Sequence, residues 1–287
     1  MAFSIVAVVG CSGEAGDGSG LAGGSGGFGG SGGFGGSGGD HGHGGASGSG
    51  GFGGSGGAGG DVPPSGVPTF VVVGYGGVRV RSIDLGKTWI DSKRLGGGGD
   101  DEFLLRTVAF GDGVFVAAGW QIHTSTDGKT WTQRENPTNQ WLGGVRFGND
   151  MFAAAGGYGY SAYSLDGITW MDGQGRGTDA ARSVAFGDGT WMARADSGNW
   201  WRSTNGQNWQ NAGGSHSGGV VWCDTQFTDA SQCDLPIARN EGKTAFGEGV
   251  YISVDDRTIE RSTDGRTWND VFTASDGLED VAFGYVD

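Results

Sequence analysis

Ser125-Thr126-Asp127-Gly128-Lys129-Thr130-Trp131 is a polar turn that ends on a large aromatic residue, and it recurs along the chain. Ser82-Ile83-Asp84-Leu85-Gly86-Lys87-Thr88-Trp89 precedes it, and Ser164-Leu165-Asp166-Gly167-Ile168-Thr169-Trp170 follows. Ser203-Thr204-Asn205-Gly206-Gln207-Asn208-Trp209 and Ser262-Thr263-Asp264-Gly265-Arg266-Thr267-Trp268 are the last two copies. Successive tryptophans lie 42, 39, 39 and 59 residues apart. A period near 40 residues marks stacked supersecondary units, either a propeller or a solenoid. The last interval is one period plus an insertion at about 211–241, which holds Cys223 and Cys233.

A second motif keeps step with the first. Val108-Ala109-Phe110-Gly111 returns as Val145-Arg146-Phe147-Gly148, Val184-Ala185-Phe186-Gly187, Thr244-Ala245-Phe246-Gly247 and Val281-Ala282-Phe283-Gly284. The first four are each followed by a turn pair: Asp112-Gly113, Asn149-Asp150, Asp188-Gly189 or Glu248-Gly249. Alternating apolar stretches around such a pair are the strongest short-range hairpin signal. Each unit therefore reads as four short strands, placed in the second repeat near 105–111, 114–118, 121–126 and 130–134.

The two motif series are out of phase at the chain ends. The first tryptophan turn has strands before it, at 69–74 and 78–82, but no Val-Ala-Phe-Gly; the last Val-Ala-Phe-Gly has nothing after it. Joining the ends completes a unit, as a closed ring needs and a capped solenoid does not. The expected fold is all-β: a five-bladed β-propeller of four-stranded blades spanning 68–287, closed by the C-terminal strand joining the first blade.

The pattern Ser-x-Asp-x-Gly-x-Thr-Trp resembles the Asp-box, or BNR repeat, of the sialidase-like and sortilin-like propellers and of photosystem assembly factors. The resemblance covers about 220 residues. It implies that the box occupies the turn between the third and fourth strands of a blade, with its aspartate on backbone amides and its tryptophan between blades. The residue chemistry agrees, since Ser and Asp side chains bond turn amides and Gly supplies a positive φ. Ser82, Asp84, Gly86, Trp89, Ser125, Asp127, Gly128, Trp131, Ser164, Asp166, Gly167, Trp170, Ser203, Asn205, Gly206, Trp209, Ser262, Asp264, Gly265 and Trp268 are thus read as structural.

Function is expected at the opposite end of the strands. The loops between second and third strands bring Tyr75, Trp120, Tyr158 with Tyr160, Asp196 with Asn199, and Asp256 there. The connections between blades add Arg106, Trp141, Arg182, Lys243, Glu279 and Asp280. Aromatic rings mixed with Asp, Asn and Arg suit a polar ligand with apolar faces, such as a sugar. The candidate ligand-binding set is Tyr75, Arg106, Trp120, Trp141, Tyr158, Arg182, Asp196 and Asp256.

A catalytic reading has less to stand on. The resemblance to sialidases would imply an arginine in an Arg-Ile-Pro motif and a Tyr-Glu nucleophile pair. The chain has no Arg-Ile-Pro, and its first blade reads Val67-Pro68-Thr69-Phe70-Val71-Val72. Paired carboxylates of a glycosidase would be drawn from Asp196, Glu241, Asp256 and Glu279, which no motif marks out. No catalytic residue, cofactor or metal is assigned. The expected function is a non-enzymatic binding module for glycans or envelope proteins, with a sialidase-like hydrolase and an assembly-factor scaffold as alternatives.

The N-terminal quarter differs in kind. Residues 13–60 hold 28 glycines among 48 positions. Such a composition cannot bury enough apolar area to offset its chain entropy, so 12–67 reads as a flexible tether. Ahead of it, Val8-Val9-Gly10-Cys11 resembles the lipobox of bacterial lipoproteins, with residues 1–11 as signal and Cys11 as the lipidation site. In an exported protein, the remaining Cys223 and Cys233 make a disulfide closing a small surface loop. The expected location is the bacterial cell envelope or outer surface, lipid-anchored or secreted, with the membrane touched only through that anchor. The 32 acidic against 18 basic residues give a net charge of -14, which excludes nucleic acid as a partner.

Overall fold

A computed structural model describes residues 65–97, 102–175 and 177–287. The expected signal, Cys11 and nearly all of the glycine-rich tether lie outside the described residues.

The described chain is all-β, built of antiparallel sheets. In the first sheet, β1 (Val67–Gly74), β2 (Arg79–Ser82) and β3 (Ile90–Lys93) follow in order. The second holds β4 (Leu105–Gly111), β5 (Val114–Gly119), β6 (Ile122–Ser125) and β7 (Thr132–Arg134). The third holds β8 (Leu142–Gly148), β9 (Met151–Gly156), β10 (Ser161–Ser164) and β11 (Met171–Asp172). The fourth consists of β12 (Ala181–Gly187), β13 (Thr190–Ala195), β14 (Trp200–Ser203) and β15 (Gln210–Gly213). A two-stranded sheet of β16 (Val220–Cys223) and β17 (Gln226–Asp229) comes next. The fifth four-stranded sheet is β18 (Thr244–Gly247), β19 (Val250–Asp255), β20 (Thr258–Ser262) and β21 (Asn269–Thr273). The last strand, β22 (Leu278–Val286), pairs with β1 and so completes the first sheet.

The turn pairs form these strands for the reason their composition implies. Asp112 and Gly113, Asn149 and Asp150, Asp188 and Gly189, and Glu248 and Gly249 all have positive φ at both positions, the geometry that matches the right-handed twist of a hairpin. Across each hairpin an aromatic pair closes the sheet. Phe110–Phe115, Phe147–Phe152, Phe186–Trp191 and Phe246–Tyr251 have ring centroids 4.4 to 4.8 Å apart, and Phe70–Phe283 lies at 4.8 Å.

The sheets pack face to face in sequence, and one contact recurs between them. A Cβ on Gly111 would overlap the ring of Phe147, one on Gly148 that of Phe186, and one on Gly284 that of Phe110. Gly187 meets Trp222 in the same way, and Gly247 meets Phe283. These glycines are needed for close approach, because each lies under the next sheet's aromatic ring.

The segment expected to be a surface loop contains the two-stranded sheet. Its Trp222 and Phe227 are paired across the hairpin with centroids 4.8 Å apart, as Phe110 and Phe115 are in the second sheet. Cys223 stands where the other first strands carry glycine, and it is bonded to Cys233 with Cα atoms 5.9 Å apart. Residues 230–238 fold back over it, so that Val221, Ala230 and Ala238 form a small core with the two cysteines.

The tryptophan turns have the bonding that the resemblance implied. Asp127 Oδ1 accepts the amides of Lys129 and Thr130 at 2.8 and 2.7 Å and the Ser125 hydroxyl at 2.9 Å. Asp84, Asp166 and Asp264 repeat this, and Asn205 does so as a neutral amide. Each turn glycine packs on the second strand of the preceding sheet: Gly86 on Ile252, Gly128 on Val71, Gly167 on Val116 and Gly206 on Ala153. Gly265 breaks the series and packs on Pro236, because the two-stranded sheet is followed by a folded tail instead of outer strands.

Burial works to raise the Asp127 pKa, but the donors from Thr130, Lys129 and Ser125 outweigh it and hold the group at about 2, against 3.8 ordinarily. A depressed carboxyl stabilises the fold above its unfolded pKa and loses that contribution as pH falls towards its folded value. Asp127→Ala is therefore expected to lower stability at neutral pH by about 1 kcal/mol and to flatten the acid-side fall in melting temperature between pH 4 and pH 2. An unchanged acid profile contradicts that role. Deleting residues 278–287 removes β22 and the partner of Phe70; the truncated chain is expected to lose cooperative melting by circular dichroism, and a melt like that of the full chain contradicts it.

Candidate functional site

The antiparallel order puts two kinds of segment at one end of the sheets: the connections leading into the first strands, and the loops between second and third strands. At that end the first strands share an irregularity. The register slips between Leu105 and Thr107, between Leu142 and Gly144, and between Ala181 and Ser183, and in β22 it skips Glu279. A bulge of this kind re-aims a side chain out of the ladder. The bulged residues are Arg106, Gly143, Arg182 and Glu279.

Two of them converge on one ring. The Arg106 guanidinium lies over Trp141 at 4.8 Å from the ring centroid, and Arg182 lies over it at 4.5 Å. Trp141 immediately precedes β8, so three successive sheets supply the stack. Arg182 is also held by Asp196, whose two carboxylate oxygens accept its Nε and Nη2 at 2.9 and 3.1 Å. The stack is a flat, partly exposed surface with cationic and apolar character in one place.

Of the expected ligand-binding residues, Arg106, Trp141, Arg182 and Asp196 are thus brought together. Tyr158 is in the adjoining loop, where Gly157 packs against the Trp141 indole and donates its amide to the Trp141 carbonyl at 2.8 Å. Tyr158 is 67% exposed. Tyr75, Trp120 and Asp256 belong to other loops. Tyr75 lies over Gly277, Trp120 accepts the Asn136 side-chain amide on its carbonyl at 3.0 Å, and the Asp256 carbonyl accepts the Leu278 amide at 2.6 Å.

Asp280 follows the bulged Glu279 but turns inward and is 4% exposed. Its Oδ2 accepts the Thr107 hydroxyl at 2.9 Å, the Val108 amide at 3.0 Å and Arg146 Nη1 at 3.1 Å. Arg146 also donates to the Val145 carbonyl at 2.7 Å. A guanidinium from the third sheet and a carboxylate from the first are therefore joined through the second, where the first strands lie closest. Lys243 and Glu279 pair at 3.4 Å nearer the surface.

Sequence reading missed Arg146 as part of this network, since it stands in a position that is alanine in the other four copies of the motif. That departure was the available signal. It also missed His216, which stacks on Trp200 at 3.7 Å and approaches Asp229 at 3.3 Å through Nδ1. Among the described residues, no group of three or more His, Cys, Asp or Glu side chains is arranged to hold a metal.

No protein family and no curated protein sequence matches the chain. Among solved structures it is similar to YCF48 bound to a D1 peptide, at 15% identity over 76% of this chain and 88% of that one, with a TM-score of 0.44. It is also similar to YCF48 from Cyanidioschyzon merolae, at 15% identity over 78% and 97% of the two chains, with a TM-score of 0.38. The Pan2 WD40 domain of Neurospora crassa is a third, at 11% identity over 70% and 61%, with a TM-score of 0.40. The arrangement of four-stranded antiparallel sheets packed face to face defines an all-β protein of β-propeller type.

Removing Asp280 while Arg146 stays leaves a buried cation without its partner. Asp280→Ala is expected to cost about 3–5 kcal/mol in urea unfolding, and Arg146→Met added to it is expected to recover most of that loss. Equal stability of the single and double variants contradicts the pairing.

Proposed function

We propose that the chain is a non-enzymatic binding module whose ligand or partner docks on the strand-start end of a closed β-propeller, over the Arg106–Trp141–Arg182 stack. The ring has six positions, five filled by four-stranded blades and the sixth by the hairpin β16–β17, with β22 closing it on β1. This replaces the five-bladed expectation. Two observations support it: Gly187 takes Trp222 as Gly111 takes Phe147, and Ser183 Oγ accepts the Val220 amide at 3.0 Å as Thr107 Oγ1 accepts the Val145 amide at 3.1 Å. The turns at the other end belong, on this reading, to the Asp-box class.

The stack is the observation that carries the binding role. It takes the bulges of two sheets to bring two guanidiniums onto one exposed indole, an arrangement with no packing advantage over a buried one. The carboxylates nearest to it are already engaged, Asp196 by Arg182 and Glu279 by Lys243, which favours recognition over acid–base work. The partner classes remain glycans and envelope proteins. The Cys223–Cys233 bond fits an oxidising compartment, and together with the Cys11 motif it supports an exported protein held by a lipid anchor and a glycine-rich tether.

The full chain, immobilised and presented to a glycan array and to solubilised envelope extract, tests this. The native protein is expected to retain a ligand that Trp141→Ala and the double variant Arg106→Gln/Arg182→Gln hold at least about tenfold more weakly. Equal retention by all three, or retention by none, contradicts the proposal.

A further inference from the structure

Beside the stack, on the flank of the third sheet, the loop joining β9 to β10 and the segment after β11 enclose an open groove of about 650 Å³. Gln140, Tyr158, Tyr160 and Thr178 line it, over a floor of glycine backbone at Gly173 and Gly175. That volume falls within the range of small-molecule sites.

Three features point to a ligand. The first is the conformation of Tyr158, which sits at φ 49° and ψ 31° in a short turn, Gly157–Gly159. The matching turn of the first sheet, Tyr75–Gly77, has glycine at that position, Gly76 at φ 62° and ψ 19°. A left-handed backbone is strained for a tyrosine and free for a glycine. The third sheet thus carries a bulky ring where a glycine would serve the fold, and leaves that ring 67% exposed beside Tyr160 at 46%.

The second is an unmatched acceptor. Gln140 Oε1 is buried and has no hydrogen-bond partner, while the backbone amide and carbonyl of the same residue are bonded to Thr138 and Asn136. A buried acceptor without a donor is uncommon and calls for one. The third is the floor. A Cβ on Gly173 would overlap Ser161 Oγ, and Gly175 has φ 100° with the Trp209 carbonyl 2.5 Å from where its Cβ would stand. No side chain can rise there, so the groove stays open.

We infer that this groove binds a neutral oligosaccharide, one sugar ring stacked on Tyr158 or Tyr160 and a hydroxyl donated to Gln140 Oε1. The described lining carries no charged side chain, which matches an uncharged ligand. A saccharide presents C–H faces to an aromatic ring and hydroxyls at its rim, and the groove offers both partners. The inference rests on the reading of this end of the propeller as its binding surface, and it commits that surface to a glycan at a place off the axis.

The test is isothermal titration of the full chain with maltohexaose, cellohexaose, chitohexaose and mannohexaose, with hexagalacturonate as the charged comparison. At least one neutral hexasaccharide is expected to bind, and Tyr158→Gly and Gln140→Met are each expected to weaken it about tenfold or more. Both variants are expected to melt no lower than the native chain, because one relieves a strained backbone and the other removes an unpaired acceptor. A purely structural Tyr158 would instead lower the melting temperature when replaced. Absence of binding by every neutral hexasaccharide at millimolar concentration overturns the inference, as does binding that both variants leave unchanged, or a preference for hexagalacturonate. If the saccharides fail while the stack variants still lose a partner from envelope extract, the binding face stands and the glycan assignment falls.

Discussion

An aromatic ring lying on a bare glycine is the contact on which the sheet arrangement depends. Each first strand ends in glycine, and the aromatic residue of the neighbouring sheet occupies the place of its missing Cβ, from Gly284 under Phe110 to Gly187 under Trp222. The ring is itself fixed by a second aromatic across its hairpin. The spacing between sheets is therefore set by ring thickness against backbone, with no side chain between. Dense packing of this kind tolerates few changes, since even one added methyl group must displace an aromatic ring. The tryptophan turns act at the opposite radius. There a carboxylate ties down two amides, and the turn glycine rests on the second strand of the sheet before it.

With the sheets held at both radii, the strand-start end is free to vary. The bulges at Arg106, Gly143, Arg182 and Glu279 occupy one structural position, and its side chains range from nothing to long and charged. That variation produces the Arg–Trp–Arg stack on one side and the Lys243–Glu279 pair on another. Below them, Arg146 and Asp280 fill the space where the first strands converge, so the surface available to a partner is a shallow face and a lateral groove. The proposed binding role follows from that shape.

Much of this was legible in the sequence, for physical reasons. The five turns share a residue pattern because each needs the same amide acceptor and the same positive-φ glycine. The hairpins share Asp-Gly or an equivalent pair because only a left-handed turn fits the strand twist. The end strands announced their pairing by supplying what the other lacked, and β22 does pair with β1. The hairpin at Val220–Asp229 was hidden because each marker was replaced. Trp222 stands for phenylalanine, Cys223 for glycine and Asp224-Thr225 for Asp-Gly, and no tryptophan turn follows. Its disulfide partner Cys233 and the folded tail do the work of the outer strands. The site was legible only as a list of loops. Which of them meet depends on bulge direction, and so Arg106, Trp141, Arg182 and Asp196 converge while Tyr75, Trp120 and Asp256 lie elsewhere.

The central claim is that this hairpin is a member of the ring and not a loop resting on it. Native-state hydrogen exchange of the full chain measures the claim directly, residue by residue. The account predicts that the cross-strand bonded amides of residues 220–229 exchange as slowly as those of β12 and β18, through the same global opening. Fast exchange at 220–229 while the neighbouring first strands stay protected would contradict it.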